Sequence, residues 1–315
     1  MESASVIAFQ AVVMFILLFV GYFLYKKNLL GEEATRQLSN ITISIINPIV
    51  IFNSYQTEFN SNMLFGLLCA MALALAAQGI FVLAAHIAVR KGRLNSSIER
   101  FAFAYSNCAF MGIPLVEAVF GSDGVFFLTA YITMFNIFMW THGVCVMSSE
   151  KGGVKQFARV LVSPSMLAIA LGLATFFTGL RLPSVIQLPL NYLGATNTPL
   201  AMLVSGATIA KAGLFGGFKL KRVYYIQIFK LIIIPVLLAA VFIPLRIFGI
   251  SGTVINVILI AAAAPTASAT IMFSYKYGHD AEYAAHHFTV STILSILTMP
   301  LILLVSELMT SMLIL

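Results

Sequence analysis

Long apolar runs separated by short polar segments cover almost the whole of this 315-residue chain. A membrane-spanning helix needs roughly 20 apolar residues to cross a hydrocarbon core about 30 Å thick. Within lipid the backbone polar groups must be satisfied internally, which favours helices for all of these runs. The ten predicted spans are Ser5–Tyr25, Leu38–Tyr55, Met63–Val89, Ile98–Phe120, Val125–Met147, Phe157–Leu180, Leu190–Ala210, Val223–Leu245, Val254–Tyr275 and Ala284–Met312. The sequence therefore predicts an all-α integral membrane protein with ten transmembrane helices.

The composition argues against a soluble protein, a nucleic-acid binder and an enzyme. Charged residues form 9% of the chain, whereas soluble domains carry about 25%. The net charge of +7 comes from basic residues in short loops between apolar runs, which does not suggest a nucleic-acid surface. Cys69, Cys108 and Cys145 lie inside apolar runs without metal-binding spacing. We therefore predict no metal site and no cofactor, and the spans contain no paired carboxylates or His-Glu-x-x-His motif that would indicate catalysis.

Basic residues collect in the loops that follow the odd-numbered spans. Those loops carry Lys26, Lys27, Arg36, Arg90, Lys91, Arg93, Lys151, Lys155, Arg159, Lys211, Lys219, Lys221, Arg222 and Lys276, whereas the other loops carry Arg181 and Arg246. Cytoplasmic loops are enriched in lysine and arginine, so we expect both termini outside the cell membrane (inner or plasma membrane). Lys230 lies about two turns inside span eight, where it either snorkels to the cytoplasmic interface or attracts anions there.

The polar stretch Ser148–Gln156 divides the chain into two sets of five spans, residues 1–150 and 151–315. Because five is odd, the second set enters the membrane from the opposite side, as in an inverted repeat. Prolines recur at matching places in the two sets. Asn47-Pro48 in span two corresponds to Thr198-Pro199 in span seven, and Gly112-Ile-Pro114 in span four corresponds to Pro265 in span nine. We therefore predict a 5+5 inverted repeat in one membrane domain.

Spans four and nine are predicted to be broken at these prolines. Proline removes a backbone donor and clashes with the preceding turn, so each break starts a second half-helix at membrane depth. The N-terminus of a helix carries partial positive charge and unpaired N–H groups, which suit a carboxylate. Small or polar neighbours that permit close approach are Ser106, Asn107, Thr266, Ser268 and Thr270. The alternative is a pair of proline kinks relieved by hydroxyl groups, with no ligand.

The motifs in these spans resemble those of the auxin efflux carrier family, which includes bacterial malate and malonate permeases. The resemblance rests on Ser106-Asn-x-x-Phe-Met-Gly-Ile-Pro-Leu115, Asn47-Pro48, Ala264-Pro265-Thr-Ala-Ser268, Tyr277-Gly278 and Ser291-Thr-x-x-Ser-x-x-Thr-x-Pro300. It implies that spans four and nine cross at their prolines and that carboxylate anions are moved by an elevator-like mechanism. The substrate-binding residues it implies, with Ser106 added from the residues themselves, are Asn47, Ser106, Asn107, Gly112, Pro114, Pro265, Thr266 and Ser268. Many relatives carry an asparagine where this chain has Ala269.

The functional prediction is a secondary transporter, in the efflux direction, for small organic carboxylate anions. The alternative is a membrane sensor that binds an anion without moving it. Glu117 lies just beyond the span-four break and either carries a coupling proton or is a carboxylate at the membrane interface. The expected partners are the anion and the lipid bilayer, and the oligomeric state is left open between a monomer and a homodimer.

Overall fold

The computed structural model describes residues 2–148, 161–213 and 216–314, and the described residues form helices joined by short connections. The helices, numbered in chain order, are α1 (Glu2–Lys26), α2 (Glu32–Ile41), α3 (Asn47–Ser54), α4 (Ser61–Ala88), α5 (Ser96–Ala104), α6 (Ile113–Phe138), α7 (Val144–Ser148), α8 (Pro164–Thr178), α9 (Ser184–Ala195), α10 (Asn197–Ala212), α11 (Lys221–Ile228), α12 (Ile234–Phe242), α13 (Gly252–Ala263), α14 (Ala269–Lys276) and α15 (Ala281–Ile314). The predicted all-α class is confirmed.

Within the described residues, four helical segments are long and apolar enough to cross a membrane. They are Ser61–Ala88, Cys108–Ser148, Lys221–Phe248 and Ala281–Met312, and shorter apolar helices cover Val12–Lys26, Pro164–Thr178 and Gly252–Ala263. The second segment has 41 residues, but its backbone leaves helical geometry at Gly121, where φ is 64°. That kink falls between predicted spans four and five. Most of the polar stretch Ser148–Gln156, including Lys151 and Lys155, lies outside the described residues, and so does Arg159 after it.

Three prolines are accommodated by wide π-helical turns instead of breaking their helices. Such turns cover Thr42–Ile46, Cys108–Gly112 and Phe229–Ile233, and each is followed by an α-helix with proline at its second residue: Pro48, Pro114 and Pro235. A wider turn gives space to the proline ring, which would clash with the carbonyl four residues earlier in an α-helix. The expectation that Gly112-Ile-Pro114 breaks span four was therefore wrong. The break lies earlier, between Ala104 and Cys108.

Helices α1 and α10 pack with their backbones in contact through two glycines. A Cβ atom at Gly21 would overlap the backbone of Leu203, and one at Gly206 would overlap the backbone of Leu18. Small residues that allow this approach are typical of helix pairs in membranes, where dispersion contacts replace the hydrophobic effect between helices. Predicted span seven covers parts of two helices. It begins in α9, which ends at Ala195, and continues in α10, which starts at Asn197.

Candidate functional site

Two interrupted helices cross each other deep inside the protein. The non-helical link between α5 and the π turn passes the link between α13 and α14, and Ser106 pairs with Thr266 in an antiparallel bridge. The amide of Asn107 donates to the carbonyl of Pro265 at 2.7 Å, and the amide of Ala267 donates to the carbonyl of Tyr105 at 3.0 Å. These bonds satisfy backbone groups that have lost helical partners, as burial requires. The crossing of the two segments that the sequence predicted is therefore present, and we call it the crossover.

Side chains from other helices satisfy the carbonyl groups at the end of α5. Thr266 donates to Ala102 O at 3.1 Å, and Gln78 donates to Ala104 O at 3.0 Å. The Nζ atom of Lys230 donates to Phe103 O at 3.0 Å and to Tyr105 O at 3.1 Å. The last carbonyls of a helix carry partial negative charge and lack intrahelical donors. The end of α5 is consequently held by three segments: α4, the link that precedes α14, and the π turn that carries Lys230.

Several asparagine side chains are buried without using all of their hydrogen-bonding atoms. Asn107 is 6% exposed, Asn47 is 2% exposed and Asn197 is fully buried. Among the described residues, no partner contacts Asn107 Nδ2, Asn47 Oδ1 or either amide atom of Asn197. Buried polar atoms in native proteins are nearly always hydrogen-bonded, so an unpaired group calls for a ligand, a water or a functional reason. Asn107 is the one of the three that lies in the crossover itself.

The remaining predicted site residues divide into buried and partly exposed positions. Gly112 and Pro114 are buried at the end of the π turn and the start of α6, and Pro265 is buried in the crossing link. Ser268 is half-buried at the start of α14. Thr266 is fully buried, and besides its hydroxyl bond to Ala102 its amide donates to the hydroxyl of Ser291 at 3.0 Å. Both the amide and the hydroxyl of Thr266 therefore already donate hydrogen bonds within the protein, and these bonds hold the crossover together.

Glu117 is exposed and lies away from the crossover. It lines a cavity of about 430 Å³ together with Arg181 and the amide side chains Asn53, Gln187 and Asn191. Gln187 donates to Asn53 at 3.2 Å and to Asn191 at 2.9 Å. The α6 helix carries Glu117 out into this cavity, which we call the Arg181 cavity. The exposed position agrees with the alternative of a carboxylate near the membrane interface, and a role in proton coupling stays a prediction.

A second cavity lies at the opposite end of α10. It has a volume of about 540 Å³ and is lined by residues that include Glu32, Arg36, Val204, Lys211 and Tyr275. We call it the Lys211 cavity. Gly194 and Ala195, just before α10, line the Arg181 cavity. Since α10 has 16 residues and is therefore about 24 Å long, the two cavities approach the protein centre from opposite ends.

A void of about 20 Å³ is lined by Met202 of α10 and by Met111, which lies four residues after Asn107 of the crossover. Four of its lining residues are methionines from four different elements: Met14, Met111, Met202 and Met299. Ser205, on α10, donates to the sulfur of Met111 at 3.7 Å. Methionine is unbranched and adaptable, so such a contact can be remade when the packed helices move. Adaptable methionine side chains thus surround this void.

Sequence reasoning missed Gln78 and Gln227, and it misplaced Lys230. Lys230 is fully buried instead of reaching the interface. Gln227 lies 3.4 Å from the Thr266 hydroxyl and 2.9 Å from His287 Nδ1. The available signal was the polar group itself, since a polar side chain inside an apolar span must find its partner within the protein. Within the described parts of the chain, no group of three or more His, Cys, Asp or Glu side chains is placed to hold a metal ion.

The sequence matches a family of membrane transport proteins, and two proteins of similar sequence are named as transporters. Residues 6–159 and 154–303 match the family model described as membrane transport protein. An uncharacterized transporter of Methanocaldococcus jannaschii is 25% identical over 92% of this chain and 95% of its own length. An uncharacterized transporter of Methanothermobacter thermautotrophicus is 24% identical over 91% of this chain and 94% of its length. The yeast (Saccharomyces cerevisiae) protein ECM3 is 27% identical over 41% of this chain and 23% of its length. Because the family model matches most of its residues, this chain belongs to the membrane transport protein family, the auxin efflux carrier family.

Proposed function

We propose that this chain is a secondary carrier that exports small organic carboxylate anions, with the crossover as its substrate site. The observation that carries the proposal is the Asn107 amide, which is buried in the crossover with its Nδ2 group unpaired. A carboxylate oxygen is a natural acceptor for that donor. Helical structure restarts directly after Asn107 and after Ser268, so two helix N-termini point partial positive charge toward the same region.

The proposed mechanism is elevator-like, with one group of helices fixed and the other moving. In this proposal the chain is a 5+5 inverted repeat of ten spans, residues 1–150 and 151–315, with both termini outside the plasma membrane. Spans one, two, six and seven form the fixed group, and the other six spans move. The close α1–α10 contact through Gly21 and Gly206 lies within the fixed group.

An ion-pair network supports the unity of the moving group. The Arg222 guanidinium pairs with the Glu99 carboxylate at 2.9 Å and donates to Ala88 O at 3.3 Å. The Tyr283 hydroxyl donates to the same carboxylate at 3.0 Å. These four residues belong to predicted spans three, four, eight and ten or to their ends, and Glu99 is buried. A buried charge that is paired and hydrogen-bonded on several sides resists separation, which suits helices that move together.

The membrane potential supports export as the proposed direction of transport. Moving one charge through the membrane potential is worth about 2.3 kcal/mol per 100 mV. A monovalent anion that leaves a cell with a negative interior is driven by that term and needs no added ion. The substrate carboxylate would enter from the Lys211 cavity, bind Asn107 and leave through the Arg181 cavity.

Transport in proteoliposomes tests this function. Labelled malate, malonate, lactate and phenylacetate would be followed in both directions under an imposed potential, with wild type and Asn107→Ala compared. A hydrogen bond to a charged group contributes about 1.5–3 kcal/mol, so we expect Asn107→Ala to weaken apparent affinity roughly 10-fold to 100-fold. Asn62→Ala is the matched control, because Asn62 is an exposed asparagine at the start of α4. If the wild type moves none of these anions, the proposed substrate class is wrong.

A further inference from the structure

Among the described lysines and arginines, Lys230 alone is buried, and it is fully buried. It lies in the π turn Phe229–Ile233 before Pro235. Its ammonium group donates to Phe103 O and Tyr105 O and lies 5.4 Å from the ring centre of Phe81. Tyr105 is two residues before Asn107, so the ammonium group is hydrogen-bonded to the backbone next to the proposed substrate site.

No carboxylate neutralises this charge among the described residues. The ion pairs found there join Arg36 with Glu33, Lys211 with Glu32, Arg222 with Glu99, and His286 with Glu282. Removing an ammonium ion from water is costly unless other charges or hydrogen bonds compensate. The compensation at Lys230 consists of two carbonyl dipoles and an aromatic face.

Holding the end of α5 does not by itself require a charge. Gln78 performs the same task on the neighbouring carbonyl of Ala104 with a neutral amide, and it is also fully buried. Thr266 does so for Ala102 with a hydroxyl. Two neutral side chains and one charged side chain thus satisfy consecutive carbonyls of a single helix end. Hydrogen bonding to carbonyl groups therefore does not by itself explain why a charged side chain occupies this position.

We propose that Lys230 is a built-in cation of the crossover, which positions the end of α5 and balances the charge of the bound anion during translocation. This inference rests on the proposed transport of anions. A carrier without such a residue would need an inorganic cation to accompany the anion through the low-dielectric centre. With Lys230 on a moving helix, the crossover loaded with a monovalent anion carries no net charge, and the empty crossover returns with one positive charge.

Equilibrium exchange of a labelled monocarboxylate isolates the loaded movement, because the empty carrier does not take part. Proteoliposomes with equal lactate or phenylacetate on both sides would be clamped at set potentials with potassium and valinomycin. We expect the wild-type exchange rate to be independent of potential and unchanged when choline replaces sodium. In Lys230→Gln the loaded crossover carries one negative charge. Its inward–outward equilibrium then shifts with potential, by up to roughly 50-fold per 100 mV if the charge crosses the full field.

Two variants separate charge from hydrogen bonding. Gln78→Met removes a donor from the same helix end but keeps the Lys230 charge, so its exchange should stay independent of potential. Lys219→Gln removes an exposed lysine and should behave as the wild type does. Lys230→Gln removes the charge but keeps an amide donor. If Lys230→Gln does not fold, Lys230→Met replaces it as the variant without a charge.

The outcomes separate the inference from the function on which it rests. If a monocarboxylate is exchanged but the wild type responds strongly to potential or requires sodium, Lys230 is not the balancing cation. The same conclusion follows if Lys230→Gln exchanges the anion as the wild type does. If only malate or malonate moves, the loaded crossover carries a net charge of −1 in the wild type and −2 in Lys230→Gln. The exchange rate of Lys230→Gln must then still depend more steeply on potential than that of the wild type. If no anion moves at all, the proposed function fails and this inference fails with it.

Discussion

At the scale of single residues, the described glycines differ sharply in what a side chain would meet. A Cβ atom at Gly206 would overlap the backbone of Leu18 on α1, whereas one at Gly79 on α4 would have no heavy atom within 4 Å. Both glycines lie inside helices, where glycine is less favourable than alanine by roughly 0.5–1 kcal/mol. The same substitution should therefore act in opposite directions at the two positions.

We predict that Gly206→Ala destabilises the protein and that Gly79→Ala does not. The methyl group at position 206 forces α1 and α10 apart, and overpacking of this kind costs about 1–3 kcal/mol. Gly79→Ala should gain a few tenths of a kcal/mol or more from helix propensity. Thermal unfolding in detergent measures both. Equal melting temperatures for the two variants would contradict the backbone contact between α1 and α10.

Residue patterns predicted the crossover more accurately than they predicted its surroundings. The predicted crossing of spans four and nine is present, with the Asn107 amide bonded to the carbonyl of Pro265, but of the two matched prolines it is Pro265 that lies at the crossing. Pro114 was assigned to the break because a proline in an apolar span usually signals one, but a π turn absorbs it. Lys230 was expected at the cytoplasmic side, either snorkelling to the interface or attracting anions there, because it lies about two turns inside span eight. Its true partners, Phe103 O and Tyr105 O, come from 125 to 127 residues earlier in the chain, and spacing along the sequence cannot reveal such contacts.

At the scale of helices, the π turn Cys108–Gly112 sets where the second part of span four points. It starts directly after Asn107 and ends immediately before Ile113-Pro114. A π turn holds one more residue than an α turn closed by the same hydrogen bonds, so it changes the rotation between the residues on its two sides. The position of Asn107 relative to α6 therefore depends on the proline that the turn accommodates.

We predict that Pro114→Ala impairs transport without unfolding the protein. Alanine restores a backbone donor and removes the ring, so the turn can tighten to α-helical geometry and rotate Asn107 away from its present direction. Displacements of about 1 Å in a binding site can reduce rates by about 100-fold. Pro164→Ala is the matched control, because Pro164 is the first residue of α8, where a missing N–H costs little. Unchanged transport in Pro114→Ala, with the control also active, would contradict this role of the turn.

At the scale of the whole molecule, the proposed fixed and moving groups pack directly against each other, and some of the side-chain contacts between them are specific. The Tyr55 hydroxyl lies 2.6 Å from the Thr129 hydroxyl, and Ser205 bonds to the sulfur of Met111. The Phe126 and Phe176 rings are 5.2 Å apart. An elevator movement must remake all of these contacts, whereas contacts within one group persist. A covalent link across the boundary therefore tests the mechanism more directly than any point substitution.

We predict that linking Ser205 to Met111 stops transport reversibly. Both would be replaced by cysteine in a protein without its native cysteines, and mercuric ion would bridge the two sulfur atoms, which dithiothreitol would free again. Val50→Cys with Gly194→Cys is the control, since a Cβ at Gly194 would lie 3.5 Å from Val50 Cγ2 and both residues belong to the fixed group. That second bridge should leave most transport intact. If bridged Ser205→Cys/Met111→Cys protein still carries its anion at the unbridged rate, these two helices keep their relative position throughout the cycle, and a gate within a rigid frame must replace the elevator.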